Sequence, residues 1–319
     1  MATAEQIKAL IRSHFSDEAE HFNTVALQIA ASEARQGHTL LANDIRLMLT
    51  NEKQKKKQAT IQSVALDGLL LAETPRDGLN QLVVEPSLEA RLRQAILEYR
   101  QMDKLKFHNL TPRRKLLLIG PSGTGKTMTS RVLSYELKLP LFTVQIENVV
   151  SKYLGETGAK LRQIFDLMKS QTGVYMFDEF DAIGSDRSLD NEIGEIRRVL
   201  NAFLQFIEQD VSDCIIIAAT NNQQLLDKAL YRRFDDILFY NLPDENQRKK
   251  LIQNNLNAFA DNSFAWNKAI ENSTGLCHAD IKLACLDSVK EAILTDQLSV
   301  NSTDLFKFFK FRKDGIQNN

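Results

Sequence analysis

Gly120-Pro-Ser-Gly-Thr-Gly-Lys-Thr127 directly follows the apolar run Leu116–Ile119 and fits the pattern G-x-x-x-x-G-K-[ST] after a predicted strand. The glycines allow the loop to curl so that backbone N–H groups converge on a di- or triphosphate, and the following helix adds its positive end. We expect Lys126 to reach the β- and γ-phosphates and the Thr127 hydroxyl to hold Mg²⁺. The stretch predicts a nucleoside triphosphate site, with a chance glycine-rich turn as the alternative. The predicted nucleotide contacts here are Gly120, Pro121, Ser122, Gly123, Thr124, Gly125, Lys126, Thr127 and Met128.

The composition argues against several classes of partner. Forty basic and forty-one acidic side chains leave a net charge of −1, so nothing indicates a nucleic-acid or acidic-membrane partner. Apolar runs reach only about six residues and no leader pattern begins the sequence, so we expect no membrane span and a cytoplasmic location. The three cysteines lack C-x-x-C spacing, which suits a reducing compartment. The five histidines form no H-E-x-x-H pair, so no structural metal site is expected.

Short apolar runs alternate with helical segments from residue 116 onwards, whereas only helical segments follow Pro243. Buried strands separated by helices are typical of a three-layer α/β sheet that is mostly parallel. We therefore expect a central α/β domain followed by an all-helical piece. The predicted strands are Leu116–Ile119, Leu141–Ile146, Val174–Phe177, Ile215–Ala219 and Ile237–Tyr240.

The sequence before this sheet falls into two parts. Residues 1–52 carry three apolar stripes at helical spacing and predict a small helical domain, which the lysine-rich tract 51–58 connects to the rest. Residues 53–85 read as a linker with an ambiguous segment, because the apolar runs Val64–Ala72 and Leu79–Val84 fit neither a helix nor a strand clearly.

Acidic and amide side chains end two of the predicted strands. If the strand Val174–Phe177 lies next to the strand of the phosphate loop, Asp178 comes close to a Mg²⁺ ion held by Thr127. Glu179 is the candidate general base for the attacking water, and Asn221 the candidate residue that orients that water. The alternatives are a solvated acidic turn at 178–179 and a simple turn at Asn221.

Together these motifs resemble the AAA family of ATPases, within the larger AAA+ group, over about residues 112–300. Gly120–Thr127 is similar to the family's Walker A motif, Phe177–Glu179 to its Walker B motif and Asn221 to its sensor 1. The resemblance implies a P-loop three-layer αβα domain at 86–242, a C-terminal helical lid at 243–319, and ATP and Mg²⁺ as cofactors.

Tyr231-Arg-Arg-Phe-Asp235 is similar to the short arginine segment of the katanin- and spastin-like remodelers of this family. The resemblance implies that Arg232 and Arg233 face the nucleotide of the next subunit, where an arginine supplied in trans stabilises charge on the γ-phosphate. The alternative is a solvated arginine pair. The expected assembly is a homo-oligomer, a hexamer.

Ser151–Glu156 is similar to the family's central-pore loop, in which an aromatic side chain grips an extended polypeptide. The resemblance implies that Lys152, Tyr153 and Leu154 contact a protein substrate.

One segment departs from the family pattern. The lid resembles the family's G-x-x-G-A-D segment, but Gly275–Asp280 has His278 where the second glycine is expected. That glycine allows close approach of the backbone near the base and ribose, so the purine contacts are in doubt at this point. Ala279 is kept as a nucleotide contact, and no sensor-2 arginine is evident.

The sequence thus predicts a cytosolic ring ATPase that remodels or unfolds protein substrates through a central pore. Small bacterial ATPases with a similar helical N-terminal domain occur beside a partner protease, some subtilisin-like, so such a partner is also expected. The alternatives are a nucleic-acid-directed motor, which the near-zero net charge argues against, and a nucleotide-gated scaffold in which turnover is incidental.

Overall fold

A computed structural model describes residues 68–150, 154–180, 192–221, 231–256, 259–260 and 264–317, the helix Ala19–Arg35, and isolated positions near that helix. The chain forms two compact units, Met1–Val64 and Ala65–Asn319, which are described separately. No helix among these residues is both long and apolar enough to cross a membrane.

In the first unit, helix α1 (Ala19–Arg35) agrees with the second predicted N-terminal helix. It buries Val25, Ala26, Ile29 and Ala30, which share one face at spacings of three and four residues. The other two predicted helices, apart from isolated positions, and the lysine-rich tract 51–58 lie outside the described residues.

The second unit contains a sheet with helices on both faces. Helix α2 begins with Pro86 in its first turn, where proline's missing N–H costs no hydrogen bond. The strands are β1 (Leu70–Glu73), β2 (Lys115–Ile119), β3 (Leu141–Val144), β4 (Val174–Phe177), β5 (Ile215–Thr220) and β6 (Asp236–Phe239). The helices that accompany them are α2 (Pro86–Arg100), α3 (Met102–Phe107), α4 (Lys126–Leu137), α5 (Ile146–Val149), α6 (Leu154–Ser170) and α7 (Glu192–Gln209), with a 3₁₀ turn at Leu79–Gln81.

The sheet has the order β1-β3-β4-β5-β2-β6, and only the pairing of β1 with β3 is antiparallel. The predicted α/β class and the mostly parallel sheet are confirmed. Five of the six strands were predicted, and the one that was missed is β1. It has only four residues at the edge of the sheet, and its Leu71 is 58% exposed, so its apolar pattern is short and incomplete.

Alternate residues of the central strands pack on opposite faces of the sheet, as the two-residue period of a strand requires. Val174 and Met176 belong to the core that includes residues of α2 and α4. On the other face, the Phe177 ring lies 6.0 Å from Phe165 of α6 and 4.8 Å from Phe203 of α7, centroid to centroid. The sheet is therefore the middle of three layers.

A second core holds the C-terminal helices together. These are α8 (Glu245–Leu256), α9 (Trp266–Asn272), α10 (His278–Leu294) and α11 (Ser302–Gln317), and the predicted break at Gly275 separates α9 from α10. The predicted break at 261–263 lies outside the described residues. Val83 joins this core, whereas its neighbours Leu82 and Val84 belong to the sheet core. The extended segment 82–84 therefore joins both cores through alternate side chains.

Candidate functional site

The phosphate loop turns sharply between β2 and α4, and glycine is needed where the loop crosses β6. The Gly120 N–H donates to the Thr220 carbonyl oxygen at 3.2 Å, which ties the start of the loop to the end of β5. A side chain on Gly120 would overlap the carbonyl oxygen of Tyr240. This close approach explains the first glycine of the motif.

Lys126 is buried at the start of α4 and joins three elements through its ammonium group. Its Nζ donates to the carbonyl oxygens of Gly120 and Pro121 at 2.7 and 2.9 Å, and to Oδ1 of Asn221 at 2.6 Å. The structure therefore brings the predicted Lys126 and Asn221 into direct contact. An ammonium group at this position can also bind phosphate oxygens that enter the cavity.

The Thr127 hydroxyl donates to Oδ2 of Asp178 at 2.6 Å. β4 does not lie next to β2, which was the condition of the sequence argument, because β5 stands between them. The two residues still meet because the connection from β2 to β3 passes over β5 and β4, so that α4 packs on all three later strands. A hydroxyl and a carboxylate are hard oxygen ligands, so this pair fits a Mg²⁺ ion bound to phosphates.

Glu179 follows Asp178 with a left-handed backbone, at φ of +48°, which is uncommon for a residue that is not glycine. Its N–H donates to Oδ1 of Asp178 at 3.0 Å, and its side chain is exposed. Strained backbone of this kind clusters at functional sites, where it fixes the direction of a side chain. Glu179 lines the same cavity as Asp178 and Asn221.

A cavity of about 290 Å³ lies beside the phosphate loop and has both polar and apolar lining. Lys126, Thr127 and Asp178 supply polar lining, and Leu82, Val83 and Leu251 supply apolar wall. Sequence reasoning missed these three apolar residues, because the linker and ambiguous segment at 53–85 and the first lid helix carry no motif. The whole lining is Gln81, Leu82, Val83, Ser122, Gly123, Gly125, Lys126, Thr127, Met128, Asp178, Glu179, Asn221, Leu251, His278, Ala279 and Lys282.

The phosphate loop and the lid touch each other directly. The Ala279 N–H donates to the Gly123 carbonyl oxygen at 3.0 Å, and a side chain on Gly123 would overlap Sγ of Cys277. The Cys277 side chain and Asp280 cap the start of α10 reciprocally. The predicted Ala279 thus lies at the cavity, while Gly120, Pro121 and Thr124 do not line it. Thr124 is buried, and its hydroxyl donates to the Pro121 carbonyl oxygen at 2.7 Å.

Arg232 and Arg233 lie at the amino ends of the parallel strands, whereas the phosphate loop lies at their carboxyl ends. They precede β6, which runs parallel to β2, and the nearby Asp235 N–H donates to the Lys115 carbonyl oxygen at 2.8 Å. Lys115 begins β2 and the phosphate loop follows its end, so the five residues of this strand separate the two sites by about 16 Å. Arg232 is exposed, and Nε of Arg233 lies 3.6 Å from Oε2 of Glu208.

The predicted pore residues fall largely outside the part of the chain that the structure describes. Lys152 and Tyr153 are not described, and Leu154 is described only as the first residue of α6.

Residues 116–242 match the profile of the ATPase family associated with various cellular activities (AAA). The chain is 32% identical over 314 residues to the AAA family ATPase y4kL of Sinorhizobium fredii, which covers 95% of this chain and 93% of the relative. A proteasome-activating nucleotidase of Methanoculleus marisnigri is 31% identical over 253 residues, or 75% of this chain and 60% of the relative. The crystal structure of the FIGL-1 AAA domain has the same fold, with a TM-score of 0.61 and 23% identity over 79% of this chain and 89% of that one.

Proposed function

Since the chain belongs to the AAA family of ATPases, we propose that it hydrolyses ATP with Mg²⁺ in a homo-oligomeric ring, a hexamer, and that the ring remodels or unfolds protein substrates. The observation that carries the proposal is the position of Arg232 and Arg233, about 16 Å along the sheet from the phosphate loop of their own chain. Arginines at that distance are suited to act on the nucleotide of a neighbouring subunit.

Within one chain, the proposed roles follow the contacts at the carboxyl edge of the sheet. Lys126 binds the β- and γ-phosphates, and Thr127 and Asp178 hold Mg²⁺, which neutralises charge on the phosphates when bound. Glu179 accepts the proton of the attacking water, and Asn221 orients that water. The contact between Asn221 and Lys126, at 2.6 Å, keeps the amide in the phosphate-binding part of the cavity.

Breaking the ion pair between Arg233 and Glu208, so that Arg233 can reach a neighbouring subunit, requires little free energy. The distance between Nε of Arg233 and Oε2 of Glu208 is long, and the Glu208 side chain is 65% exposed. Exposed ion pairs of this kind contribute about 0–1 kcal/mol. A hydrogen bond from Arg233 to a phosphate that becomes more negative during hydrolysis can therefore replace the ion pair with Glu208.

The dependence of ATP hydrolysis on protein concentration tests the proposal. Turnover per chain should rise with concentration and reach a plateau as the ring forms, because no isolated subunit completes a site. Sedimentation on the same samples should place the rise where the oligomer forms. Full turnover by a monomer, unchanged on dilution, would overturn the ring proposal.

The proposed substrate is a protein, delivered to a partner protease in the cytoplasm. The support is the similarity to the proteasome-activating nucleotidase of Methanoculleus marisnigri, which extends over 75% of this chain. A subtilisin-like partner remains a prediction from the helical N-terminal unit. The net charge of −1 argues against a nucleic-acid substrate.

Tyr153→Ala is expected to abolish substrate remodelling while ATP hydrolysis is retained. The proposed pore loop grips the polypeptide through this ring, and the residue belongs to none of the hydrolytic contacts described above. The two readouts are steady-state ATP hydrolysis and the loss of fluorescence when the protein unfolds a tagged, folded fluorescent substrate protein.

Two controls sharpen this prediction. Tyr153→Phe keeps the aromatic ring and should retain remodelling. Tyr135→Ala removes a tyrosine that is 47% exposed on α4 and should leave both readouts unchanged. Remodelling that persists in Tyr153→Ala would rule out threading through this loop.

A further inference from the structure

His278 is a buried polar side chain without a partner at the first position of α10. Only 9% of its surface is exposed, and neither ring nitrogen has a hydrogen-bond partner among the residues that the structure describes. An unpaired nitrogen in such a position has lost its hydrogen bonds to water without replacing them, which destabilises the folded chain. Because buried polar groups in proteins are nearly always hydrogen-bonded, a ligand atom is a candidate for the missing partner.

The His278 ring is neutral at physiological pH. Burial lowers its pKa to about 4, and the Asp244 carboxylate and the Val83 carbonyl oxygen oppose that shift only in part. The Val83 carbonyl is nearby but lies outside hydrogen-bonding geometry with both nitrogens. A neutral imidazole offers one donor and one acceptor, so it can bond either kind of polar atom on a ligand.

The ring lies in the wall between two cavities. One is the nucleotide cavity, where His278 lies with Val83, Leu251 and Ala279. The other is a cavity of about 150 Å³ that includes Asp244 and Gln247. Asp244 and Gln247 bond each other's backbone, because the Gln247 backbone N–H donates to Oδ1 of Asp244 at 2.7 Å and the Asp244 backbone N–H to Oε1 of Gln247 at 3.2 Å. Because His278 also lines the nucleotide cavity, a ligand bound there can supply the partner that the described residues do not.

The polar and apolar lining of the nucleotide cavity indicates where each part of a bound nucleotide belongs. Its phosphates belong at Lys126, Thr127 and Asp178, where the cation and the oxygen ligands are. A flat heteroaromatic base suits the apolar wall of Leu82, Val83 and Leu251, and polar groups in such walls set orientation and specificity.

We propose that His278 hydrogen-bonds a polar edge atom of the nucleobase and acts as a base-recognition residue of this ATPase. The inference rests on the proposed binding of ATP at this cavity. It gives a role to the residue that stands where the related motif has glycine: the imidazole supplies a side-chain contact that glycine cannot.

The test is a double-mutant cycle on equilibrium binding to the full chain, with ATP and four analogues. Purine riboside triphosphate lacks the amino group and 7-deaza-ATP lacks N7, whereas 2′-deoxy-ATP and 3′-deoxy-ATP each lack one ribose hydroxyl. In the unaltered protein, at least one base analogue should bind about tenfold more weakly than ATP. In His278→Leu that difference should disappear, because the imidazole that recognised the atom is gone.

Control variants separate recognition from folding. Thermal unfolding of each variant establishes that it is folded, and His278→Gly replaces His278→Leu if the leucine is not accommodated. Leu283→Ala alters an exposed residue of the same helix and should keep the base-analogue penalty. His278→Gln, which retains a donor and an acceptor, should restore part of it.

The outcomes are distinct. A base-analogue penalty that is unchanged in His278→Leu overturns the inference, and so does a cycle in which only a deoxyribose analogue is coupled to His278. If the unaltered protein binds neither ATP nor its analogues, the proposed function itself fails.

Discussion

Alanine in place of both Arg232 and Arg233 is expected to lower ATP hydrolysis by about 10³-fold or more, while the altered chain still binds ATP. The reason is geometric: both arginines precede β6, at the amino ends of the parallel strands, whereas the phosphate loop of the same chain lies at their carboxyl ends. Their removal therefore leaves the cavity at Lys126 intact. Turnover assays, together with equilibrium binding of ATP, measure the two effects separately.

Mixing two inactive proteins gives the decisive form of this experiment. Chains with Arg232→Ala and Arg233→Ala keep the phosphate loop, and chains with Lys126→Ala keep the arginines. Where the two alternate in a ring, the arginines of one complete the cavity of the other, so the mixture should recover part of the activity. Neither protein alone should be active.

Arg93→Ala is a matched control, because this arginine is exposed and, among the residues that the structure describes, pairs only with Glu89 one turn away on α2. It should change neither hydrolysis nor stability by much, since such pairs contribute about 0.3–0.5 kcal/mol. A mixture that stays inactive, although sedimentation shows mixed oligomers, would contradict an arginine supplied in trans.

Local sequence patterns predicted the residues that supply the polar lining of the site. The phosphate loop, Asp178 and Asn221 are each placed by a buried strand that ends at the same edge of the sheet, and apolar runs mark those strands clearly. The strand order was harder to predict. Nothing in the sequence states that β5 lies between β2 and β4, because hydrogen bonding between strands depends on packing across the whole sheet.

Sequence patterns did not predict the apolar wall of the cavity or the edge strand β1, for a different reason. Leu82, Val83 and Val84 form a short run whose side chains are shared between the sheet core and the lid core, so neither a helical nor a strand period emerges. In the sequence, His278 differs from the family's G-x-x-G-A-D pattern, and no other signal marks it. Its significance depends on burial and on unpaired nitrogens, which are properties of the folded chain.

Glu179→Gln is expected to slow ATP hydrolysis by about 10²–10⁴-fold and to leave ATP binding close to normal. The amide keeps the size of the side chain but cannot accept a proton from water. Asp178, which the Thr127 hydroxyl contacts at 2.6 Å, is unchanged, so the proposed metal site is preserved. Asp178→Asn is the informative comparison, because it should weaken Mg²⁺-dependent nucleotide binding as well as turnover.

The same variant separates a motor from a nucleotide-gated scaffold. If ATP binding alone assembles a functional complex, Glu179→Gln should still support the partner's activity, whereas a motor that remodels proteins should fail. The variant held with ATP should also retain its ring and its protein substrate, so affinity capture followed by mass spectrometry would identify what the ring acts on. Capture that is equal with ATP and with ADP would contradict coupling of substrate binding to the nucleotide state, because only the ATP form can bridge to Arg232 and Arg233 through a γ-phosphate.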